Sequence, residues 1–536
     1  MTVQRKPILK KKPSGKFKMH DFQREDIDIL AERDASANWS EMGAMKTTTV
    51  EWLWQKKLKH IPNPRVLVIT TKTGKGTYFE SLAEVLPEWD VFTVNTTKTN
   101  MVIGPKPVPI NVKLPDPLYF RPVVVVAHYH CFTNNACIPK QVMGENGLPI
   151  LRDDGKFEMT EPPCLNLLLS HWDFIVVDEA HRIKNRDAQW TQNIKKLKAP
   201  MKHIMTGTGF VNNPSEIWSL LNFLFPDVYT SEEKFRKHYC EIENYSGYEK
   251  IVGIKPQAED EFRELVRTVG VRRTMLECFP GIGEPIETIV PVDLNPTQRR
   301  MYVELAEMLH TLDQQGEPLH SPNVLSMLNR LRQICVATPQ VIDDYYDYKE
   351  ERRIIKVKLV EPSSKLDATM EIIEGLEWDK ERKDQVVVFS NFKDPLALLE
   401  TRLEKAKIPY IRLLSEMNEQ KRYELWHDVW PQKEHQVFLS TLDLGSESIN
   451  LTSAHRAIFL DQHWSPVKNT QAIGRVYRPG QTAVAQLIYI RADGTTDNRV
   501  LDKQVTTKGW FKQIFGEPDQ EDEDEEVDNQ ETDATE

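Results

Sequence analysis

The sequence predicts an α/β protein with two lobes, each built on a parallel β-sheet, and three observations support this prediction. Nine short apolar runs, rich in β-branched residues, recur along the chain without the polar alternation of half-exposed strands. Stretches of helical character separate these runs, as the crossover connections of a parallel sheet require. The length of 536 residues suits two or more domains, since a domain typically has ~100 to 200 residues.

The predicted strands fall into two groups along the chain. They are Val66–Thr70, Val91–Asn95, Val123–Ala127, Phe174–Asp178 and His203–Gly207 in the first lobe, and Gln385–Ser390, Gln436–Thr441, Arg456–Asp461 and Gln486–Arg491 in the second. Residues from about 250 to 380 are largely helical and charged. One helix there carries its apolar residues on a single face: Val324, Leu325, Leu328, Leu331 and Ile334. We expect the division in this region, with lobe one at 19–285 and lobe two at 286–510.

The composition excludes several classes of protein. Apolar residues make up 40% of the chain and charged residues 28%, which is typical of packed domains. No apolar stretch reaches the ~20 residues that cross a bilayer, and the basic amino terminus lacks the apolar core of a signal peptide. The six cysteines include no Cys-x-x-Cys pair, which argues against a disulfide framework or a four-thiolate zinc site. We expect a protein with no membrane partner that stays in a reducing compartment.

The two ends of the chain carry opposite charges. Residues 1–18 hold seven Lys or Arg and no acid, whereas residues 517–536 hold twelve Asp or Glu and no base. Both ends have the composition of disordered segments, and one interpretation is that they only aid solubility. The alternative is that the basic arm contacts nucleic acid, while the acidic tail imitates DNA or binds a basic protein partner.

The segment Phe174–His181 (Phe-Ile-Val-Val-Asp-Glu-Ala-His) gives the strongest indication of chemistry. Its apolar residues form a buried strand, and two acids follow at the carboxyl end, the edge at which open α/β sheets bind ligands. Asp178 can hold Mg²⁺ while Glu179 orients or deprotonates a water molecule. The pattern indicates hydrolysis of a nucleoside triphosphate.

A phosphate-binding turn is expected earlier in the chain, and Glu41–Thr48 (Glu-Met-Gly-Ala-Met-Lys-Thr-Thr) is the candidate. Lys46 follows a tight turn that contains Gly43, and the hydroxyl of Thr47 comes next at a helix start. The usual pattern has Gly directly before the Lys. Met45 stands there instead, and its side chain would crowd the phosphate or demand a different turn. The glycine-rich segment 73–77 lacks the spacing of such a turn, and we interpret it as a loop.

Two further segments narrow the interpretation. Gln471–Gln481 places Arg475 and Arg478 three residues apart on one side of a helical turn, where guanidinium groups can stabilise charge on a γ-phosphate. Met205–Gly209 follows a strand of the first lobe, and the apolar run Ile217–Pro226 comes soon after. Another group matches no zinc pattern, and we interpret it as packing. Its members are His128, His130, Cys131, Cys137 and Cys164.

Together these segments resemble the Swi/Snf-type branch of superfamily-two DNA-dependent ATPases, in a compact form of bacterial or phage type. The resemblance extends from about His20 to about Lys508. The segments that carry it are Asp178–Asn185, Trp218–Pro226, Arg272–Thr274, Leu331–Cys335 and Gln471–Gln481. It implies two RecA-like lobes with helical insertions at about 210–280 and 295–345.

The resemblance also implies ATP and Mg²⁺ as cofactors and assigns roles to individual residues. The implied residues are Gln23, Gly43, Lys46 and Thr47 for ATP, Thr47 and Asp178 for Mg²⁺, and Glu179, Gln471, Arg475 and Arg478 for catalysis. Gln23 would contact the adenine, and Glu179 would position the attacking water. The arginines would reach the nucleotide across the interface between the lobes.

The implied DNA partner would cross both lobes on the side opposite the nucleotide. The matching positions are Thr70, Thr71, Lys72, Ser390, Asn391, Thr441 and Asn450. Hydroxyl and amide groups of this kind contact phosphates, so they would follow the DNA backbone without recognising a base sequence. The implied activity is that of an ATP-dependent DNA translocase, a helicase-like motor that acts on duplex or branched DNA.

A second departure from the family pattern also bears on turnover. Leu444–Leu451 resembles the glycine-rich coupling motif of the family, with two glycines replaced by Ser446 and Ser448. The alternative function is therefore a non-catalytic nucleotide- and DNA-binding recruitment protein, and a strand-separating or annealing helicase is a third. We expect a monomer in the cytoplasm of a bacterial or phage-infected cell, or in the nucleus of a eukaryote. The sequence does not identify the DNA substrate.

Overall fold

The computed structural model describes most of the chain. Its described residues are 18–500, apart from 73, 95–98, 104–105, 110–120, 145–147, 153, 160–163, 208–213, 246–247, 315–321, 348–351, 380–381 and 446–448. The acidic tail and all but one residue of the basic arm lie outside them, as do Ser446 and Ser448. The chain divides into a first unit, Met1–Cys278 with Gly509–Glu536, and a second unit, Phe279–Lys508. No helix within the described ranges is both long and apolar enough to cross a bilayer.

The first unit alternates strands and helices along its length. Its strands are β1 (Ala35–Asn38), β2 (Arg65–Thr70), β3 (Asp90–Val94), β4 (Thr99–Ile103), β5 (Lys106–Pro109), β6 (Val123–His128), β7 (Phe174–Asp178), β8 (Met201–Met205), β9 (Cys240–Tyr245), β10 (Tyr248–Ile254) and β11 (Gly270–Val271). Its helices are α1 (Asp21–Ala31), α2 (Lys46–Leu58), α3 (Gly74–Val85), α4 (Asn134–Cys137), α5 (Leu165–Leu169), α6 (Gln189–Lys195), α7 (Ile217–Leu224), α8 (Glu232–Tyr239), α9 (Glu259–Val269) and α10 (Met275–Cys278).

A nine-stranded sheet in the order β11-β1-β8-β7-β2-β6-β3-β4-β5 forms the centre of the first unit. The strands from β11 to β3 are parallel, and antiparallel β4 and β5 extend one edge. Successive residues of β6 pack alternately into two cores, Val123 and Val125 into one and Val124 and Val126 into the other. Burial on both faces explains why these strands lack polar alternation. The parallel arrangement brings the carboxyl ends of β2, β6, β7 and β8 to one edge.

The second unit has the same kind of layering around a smaller sheet. Its strands are β12 (Ile286–Val292), β13 (Thr338–Asp347), β14 (Arg352–Val360), β15 (Val386–Ser390), β16 (Tyr410–Arg412), β17 (Val437–Thr441), β18 (Arg456–Phe459) and β19 (Gln486–Ala492). Its helices are α11 (Pro296–Gln314), α12 (Pro322–Val336), α13 (Ser364–Glu374), α14 (Lys393–Ala406), α15 (Glu419–Glu424), α16 (Leu442–Gly445) and α17 (Pro466–Val476). The sheet has the order β12-β19-β18-β15-β17-β16, and every pair in it is parallel.

The predicted fold class is confirmed, because each unit is an α/β structure with a largely parallel sheet. All nine predicted strands are present, with ends within two residues of the predicted ones. The predicted helical insertions contain helices, but the first also contains the antiparallel ribbon β9–β10, and the second leads into the ribbon β13–β14. Neither ribbon was predicted.

The interpretation of residues 73–77 as a loop is wrong, because helix α3 begins at Gly74. The Thr71 hydroxyl accepts a hydrogen bond from the Gly74 backbone N–H at 2.9 Å, which caps the helix start. A Cβ atom at Gly74 would lie 2.4 Å from Thr70 Oγ1. The glycine is therefore required by close packing against the end of β2, and it marks a helix start in this chain.

Candidate nucleotide site

The acid predicted to hold Mg²⁺ and the acid predicted to be catalytic both lie at the carboxyl edge of the first sheet. Asp178 is the last residue of β7, and Thr70 is the last residue of the neighbouring strand β2. The Thr70 hydroxyl donates to Asp178 Oδ2 at 2.9 Å, and the Glu179 backbone N–H donates to Asp178 Oδ1 at 2.9 Å. Both carboxylate oxygens are therefore held by uncharged donors.

The electrostatic environment of Asp178 suits a metal ion. Burial, together with the neighbouring charge of Glu179, raises the pKa of Asp178 to about 7, although the hydrogen bond from Thr70 opposes this shift. A carboxylate that is desolvated and paired only with neutral donors gains greatly from a cation. Mg²⁺ commonly binds one or two protein carboxylates together with substrate phosphates. Asp178 fits that role. Thr47, the second predicted Mg²⁺ ligand, is half-buried and is the second residue of α2, directly after Lys46.

Glu179 is connected to the end of β8 through a histidine. The backbone of Glu179 has φ of 51°, in the left-handed region that non-glycine residues rarely adopt. Glu179 Oε2 lies 3.3 Å from His181 Nδ1, and the same nitrogen lies 3.3 Å from the hydroxyl of Thr206. The side chain of Glu179 is 22% exposed, so it reaches solvent while its orientation is constrained.

The candidate phosphate-binding turn, Glu41–Thr48, here called the phosphate turn, has the backbone conformation that its sequence pattern requires. Gly43 has φ of 88°, and Met45 has φ of 53° directly before α2 begins at Lys46. A left-handed conformation is free of steric cost for Gly but costs a β-carbon-bearing residue ~1 kcal/mol or more. Met45 therefore adopts the left-handed conformation expected of a Gly at this position, and its backbone is strained as a result.

Lys46 closes on the turn that precedes it. Its ammonium donates to the backbone oxygens of Ser40 and Glu41, each at 2.7 Å. Burial lowers the pKa of Lys46, and the nearby charges of Glu179 and Asp178 oppose this shift. The predicted phosphate-binding lysine and the two predicted acids thus lie close enough to affect one another.

The far end of the first unit braces the phosphate turn. The Glu41 backbone N–H donates to the oxygen of Arg273 at 2.9 Å, and the Arg273 N–H donates to Ser40 Oγ at 3.0 Å. Gly207, after β8, packs on the other side, where a Cβ atom would lie 3.3 Å from the Ser40 oxygen. The turn is held by segments distant from it in sequence.

The structure gives Gln23 a different set of contacts from the one predicted. Its side chain is fully buried, and its amide nitrogen donates to the hydroxyls of Thr48 and Thr49 at 3.0 and 2.9 Å. The side-chain oxygen accepts from the His20 backbone N–H. The whole amide joins α1 to the start of α2, and contact of Gln23 with the adenine stays a prediction.

The predicted arginines of the second unit lie on and just after α17. Gln471 and Arg475 belong to this helix, and the Arg475 backbone oxygen accepts from the Leu451 N–H at 3.0 Å. Arg478 follows the helix, and burial lowers its pKa. Within the described part of the chain no carboxylate forms an ion pair with Arg478, so its charge is available to a ligand.

The predicted DNA contacts divide into buried and accessible side chains. Thr70, Ser390 and Thr441 are buried, so a contact with DNA at these positions would use the backbone, and it stays a prediction. Ser390 donates to Asp461 at 2.6 Å, so its hydroxyl has an internal partner as that of Thr70 does. The side chains that reach solvent, at least in part, are Thr71, Lys72, Asn391 and Asn450.

The interpretation of the cysteine and histidine group as packing agrees with the structure. All six cysteines are free and buried, and Cys131, Cys137 and Cys164 belong to the same hydrophobic core. Among the residues described here, no group of three or more His, Cys, Asp or Glu is arranged to hold a metal ion. A single acid with phosphate oxygens remains the arrangement that suits Mg²⁺.

Two models of protein families match this chain. The SNF2-related domain matches residues 155–340, and the helicase conserved C-terminal domain matches residues 364–480. The chain is homologous to the Swi/Snf ATPases. This confirms the resemblance of the motifs, and ATP with Mg²⁺ is the cofactor pair typical of this family. The phosphate turn precedes both matched ranges, so its assignment rests on geometry.

Curated relatives match about two thirds of this chain at low identity. They include the DNA repair and recombination protein RAD26 of Saccharomyces cerevisiae, 26% identical over 66% of this chain and 32% of that protein. Chromodomain-helicase-DNA-binding protein 6 of Rattus norvegicus is 25% identical over 67% of this chain and 13% of that protein. The chain spans a third or less of the length of these relatives.

Solved structures of Swi/Snf ATPases also align with the chain. The Sulfolobus solfataricus SWI2/SNF2 ATPase core in complex with dsDNA covers 92% of this chain and 94% of its own, at 21% identity and a TM-score of 0.38. The C-terminal part of the Fun30 ATPase domain covers 43% of this chain and 96% of its own, at 16% identity and a TM-score of 0.34.

Three residues at the sheet edges of the two units have no role in the sequence motifs described above. His181 and Thr206 connect the acids to the next strand, and Asp461 holds the edge of the second sheet. Each lies at or just beyond the carboxyl end of a predicted strand, which is the signal that would have found them. In each unit, the carboxyl edge of the sheet thus carries more polar residues in contact with one another than the motifs alone indicate.

Proposed function

We propose that this chain is an ATP-dependent DNA translocase that hydrolyses ATP and moves along or remodels duplex or branched DNA. The observation that carries the proposal is the pair of acids Asp178 and Glu179, held at the edge of a parallel sheet beside the phosphate turn. The matches to the SNF2-related and helicase C-terminal domain models support ATP as the nucleotide.

In the proposed mechanism, each group has one task. Lys46 exchanges its two backbone partners for phosphate oxygens. Thr47 and Asp178 are the residues that would hold Mg²⁺, which would supply positive charge to the phosphates. Glu179 accepts a proton from the attacking water or orients it, with His181 fixing its carboxylate. Arg475 and Arg478 supply positive charge for the transferred phosphoryl group.

DNA as the partner is proposed from the relatives and from accessible side chains. RAD26 is a DNA repair and recombination protein by name, and chromodomain-helicase-DNA-binding protein 6 is named for DNA binding. Lys72 is exposed just after β2 in the first unit, and Asn450 is exposed in the segment between α16 and β18 in the second. We propose that such groups contact phosphates, so that binding does not depend on base sequence.

The test is ATP turnover with no nucleic acid, single strands, duplex and forked DNA. The proposal predicts stimulation by duplex or forked DNA in the full chain, and none in the Glu179→Gln variant. Glu259→Gln is the matched control, because Glu259 is an acid of similar exposure, 24%, in an ion pair on α9. Absence of turnover on every DNA overturns the proposal.

A second candidate function is nucleotide and DNA binding without turnover. The strained Met45 and the engagement of Lys46 by its own turn favour this candidate. Binding of a fluorescent ATP analogue without hydrolysis selects it. A labelled-strand displacement assay then separates translocation from helicase activity, and light scattering tests the proposed monomer.

A further inference from the structure

Tyr129 contacts the backbone of both proposed active-site acids. It follows β6 in a 3-10 turn, Tyr129–Phe132, at the same sheet edge as the acids. Its hydroxyl donates to the backbone oxygen of Asp178 and lies 3.2 Å from that of Glu179. The sequence analysis assigned no role to this residue.

The two carbonyl groups belong to a turn whose shape determines where the carboxylates point. Glu179 is left-handed, and a strained residue keeps such a conformation only when its surroundings hold it. The Asp178 side chain in turn accepts from the Glu179 N–H, so a rotation of this peptide moves both acids. The hydroxyl of Tyr129 restrains that peptide from the carbonyl side.

The ring of Tyr129 is itself firmly placed. It is 2% exposed and belongs to the core on one face of the first sheet. The Arg182 guanidinium lies 5.8 Å from the ring centre, and the Trp190 ring packs edge-on at 6.5 Å. A hydroxyl on a fixed ring is a rigid donor, which is what positioning within a fraction of an ångström requires.

We propose that Tyr129 is a positioning residue for ATP hydrolysis, which fixes the turn that carries Asp178 and Glu179. The inference rests on the proposed function. Tyr129 touches neither substrate nor metal in this role. It acts on the reaction through the orientation of the Glu179 carboxylate, and the loss of its hydroxyl lowers the rate of hydrolysis without weakening the binding of ATP.

The test compares Tyr129→Phe with Tyr78→Phe in the full-length protein under DNA saturation. Tyr78 is the matched control because its hydroxyl is also fully buried in the first unit but has no hydrogen-bond partner in the described structure. We expect Tyr129→Phe to lower kcat about tenfold, the equivalent of one lost hydrogen bond in the transition state. KM for ATP should stay within about twofold, and Tyr78→Phe should match the unmutated protein.

A double-mutant cycle with Glu179→Gln separates positioning from a general structural effect. If Tyr129 acts through Glu179, then Tyr129→Phe has little further effect on single-turnover hydrolysis in the Glu179→Gln background. A tenfold loss in both backgrounds, or an equal kcat for Tyr129→Phe and the unmutated protein, overturns the inference alone. An unmutated protein without turnover overturns the proposed function and the inference together.

Discussion

The carboxyl edges of the two sheets share a hydroxyl–carboxylate hydrogen bond, but the two carboxylates differ in their charged neighbours. In the first unit, Thr70 ends β2 and its hydroxyl donates to Asp178 at the end of β7. In the second, Ser390 ends β15 and its hydroxyl donates to Asp461, which follows the neighbouring strand β18. Both hydroxyls are fully buried. A strand-end hydroxyl thus holds an acid on the next strand in both units.

The partners of the two acids differ. Asp461 also accepts from the backbone N–H of Asn391 at 3.1 Å, and its Oδ2 lies 3.6 Å from the Arg332 guanidinium. Arg332 is itself fixed, since it donates to the Gln462 oxygen and lies against the rings of Phe392 and Trp464. Asp178 has only neutral donors. Asp461 lies within ion-pair distance of Arg332 and braces the fold. Lys46 lowers the pKa of Asp178 through its charge but donates its hydrogen bonds to its own turn, so the Asp178 carboxylate can still gain from a bound cation.

The largest effect should come from Glu179→Gln. The amide cannot take a proton from water, so hydrolysis should fall by about two orders of magnitude or more while ATP binding is retained. Stopped-flow binding of a fluorescent nucleotide and phosphate release under DNA saturation measure the two quantities. Hydrolysis at the unmutated rate would refute the assignment of Glu179.

Exchanging each acid for its amide should separate the two roles. Asp461→Asn leaves the Arg332 charge buried without its counter-charge, and we expect a loss of about 3 kcal/mol in the free energy of unfolding. Asp178→Asn should instead stabilise the metal-free protein, because a desolvated charge is removed. Chemical denaturation in the presence of a chelator measures both, and a destabilised Asp178→Asn would contradict the contrast.

The stabilisation by Asp178→Asn should depend on pH. Folding raises the pKa of this carboxyl from 3.8 to about 7, so the unmutated protein loses stability as the pH rises through that interval. The amide does not titrate. The advantage of Asp178→Asn should therefore be small near pH 4 and greatest at pH 8, and an advantage independent of pH would show that desolvation of the carboxylate is not its cause.

Removing the hydroxyl of Thr70 or Ser390 should give smaller effects that also distinguish the roles of Asp178 and Asp461. Thr70→Val should lower hydrolysis about tenfold, because Asp178 loses one of its two donors, with little change in the melting temperature. Ser390→Ala should lower the free energy of unfolding by about 1 kcal/mol. Steady-state kinetics and thermal unfolding of both variants provide the measurement. Equal kinetic losses for the two would show that the edges are equivalent.

The smallest effect should come from Met45→Gly. Glycine removes the strain of the left-handed conformation but adds flexibility to the unfolded chain, so the free energy of unfolding should change by less than about 1 kcal/mol. Without the side chain, the turn should bind ATP more tightly. Isothermal titration of a non-hydrolysable analogue tests this, with Met42→Ala as a control in the same turn. Weaker binding by Met45→Gly would show that Met45 supports the site.

The sequence predicted the elements whose signal is local. An apolar run followed by Asp178 and Glu179 sufficed for β7 and its acids, and the fold class followed from the repetition of such runs. β1, with the sequence Ala-Ser-Ala-Asn, and the two-residue β11 were missed, because neither has an apolar run and both depend on partners far along the chain. The bond from Thr70 to Asp178 was not predicted for a related reason, since it depends on which strand lies next to β2.

The pairing of β1 with β11 also determines when the site is completed during synthesis. Ser40 leaves the ribosome early, but its bond from Arg273 joins residues separated by 233 positions. Until Arg273 has been made, the phosphate turn lacks this support, and long-range pairings of this kind form late in folding. Stabilisation by bound nucleotide requires a formed site. The nascent chain therefore gains that protection only after Arg273 and all the residues before it have emerged.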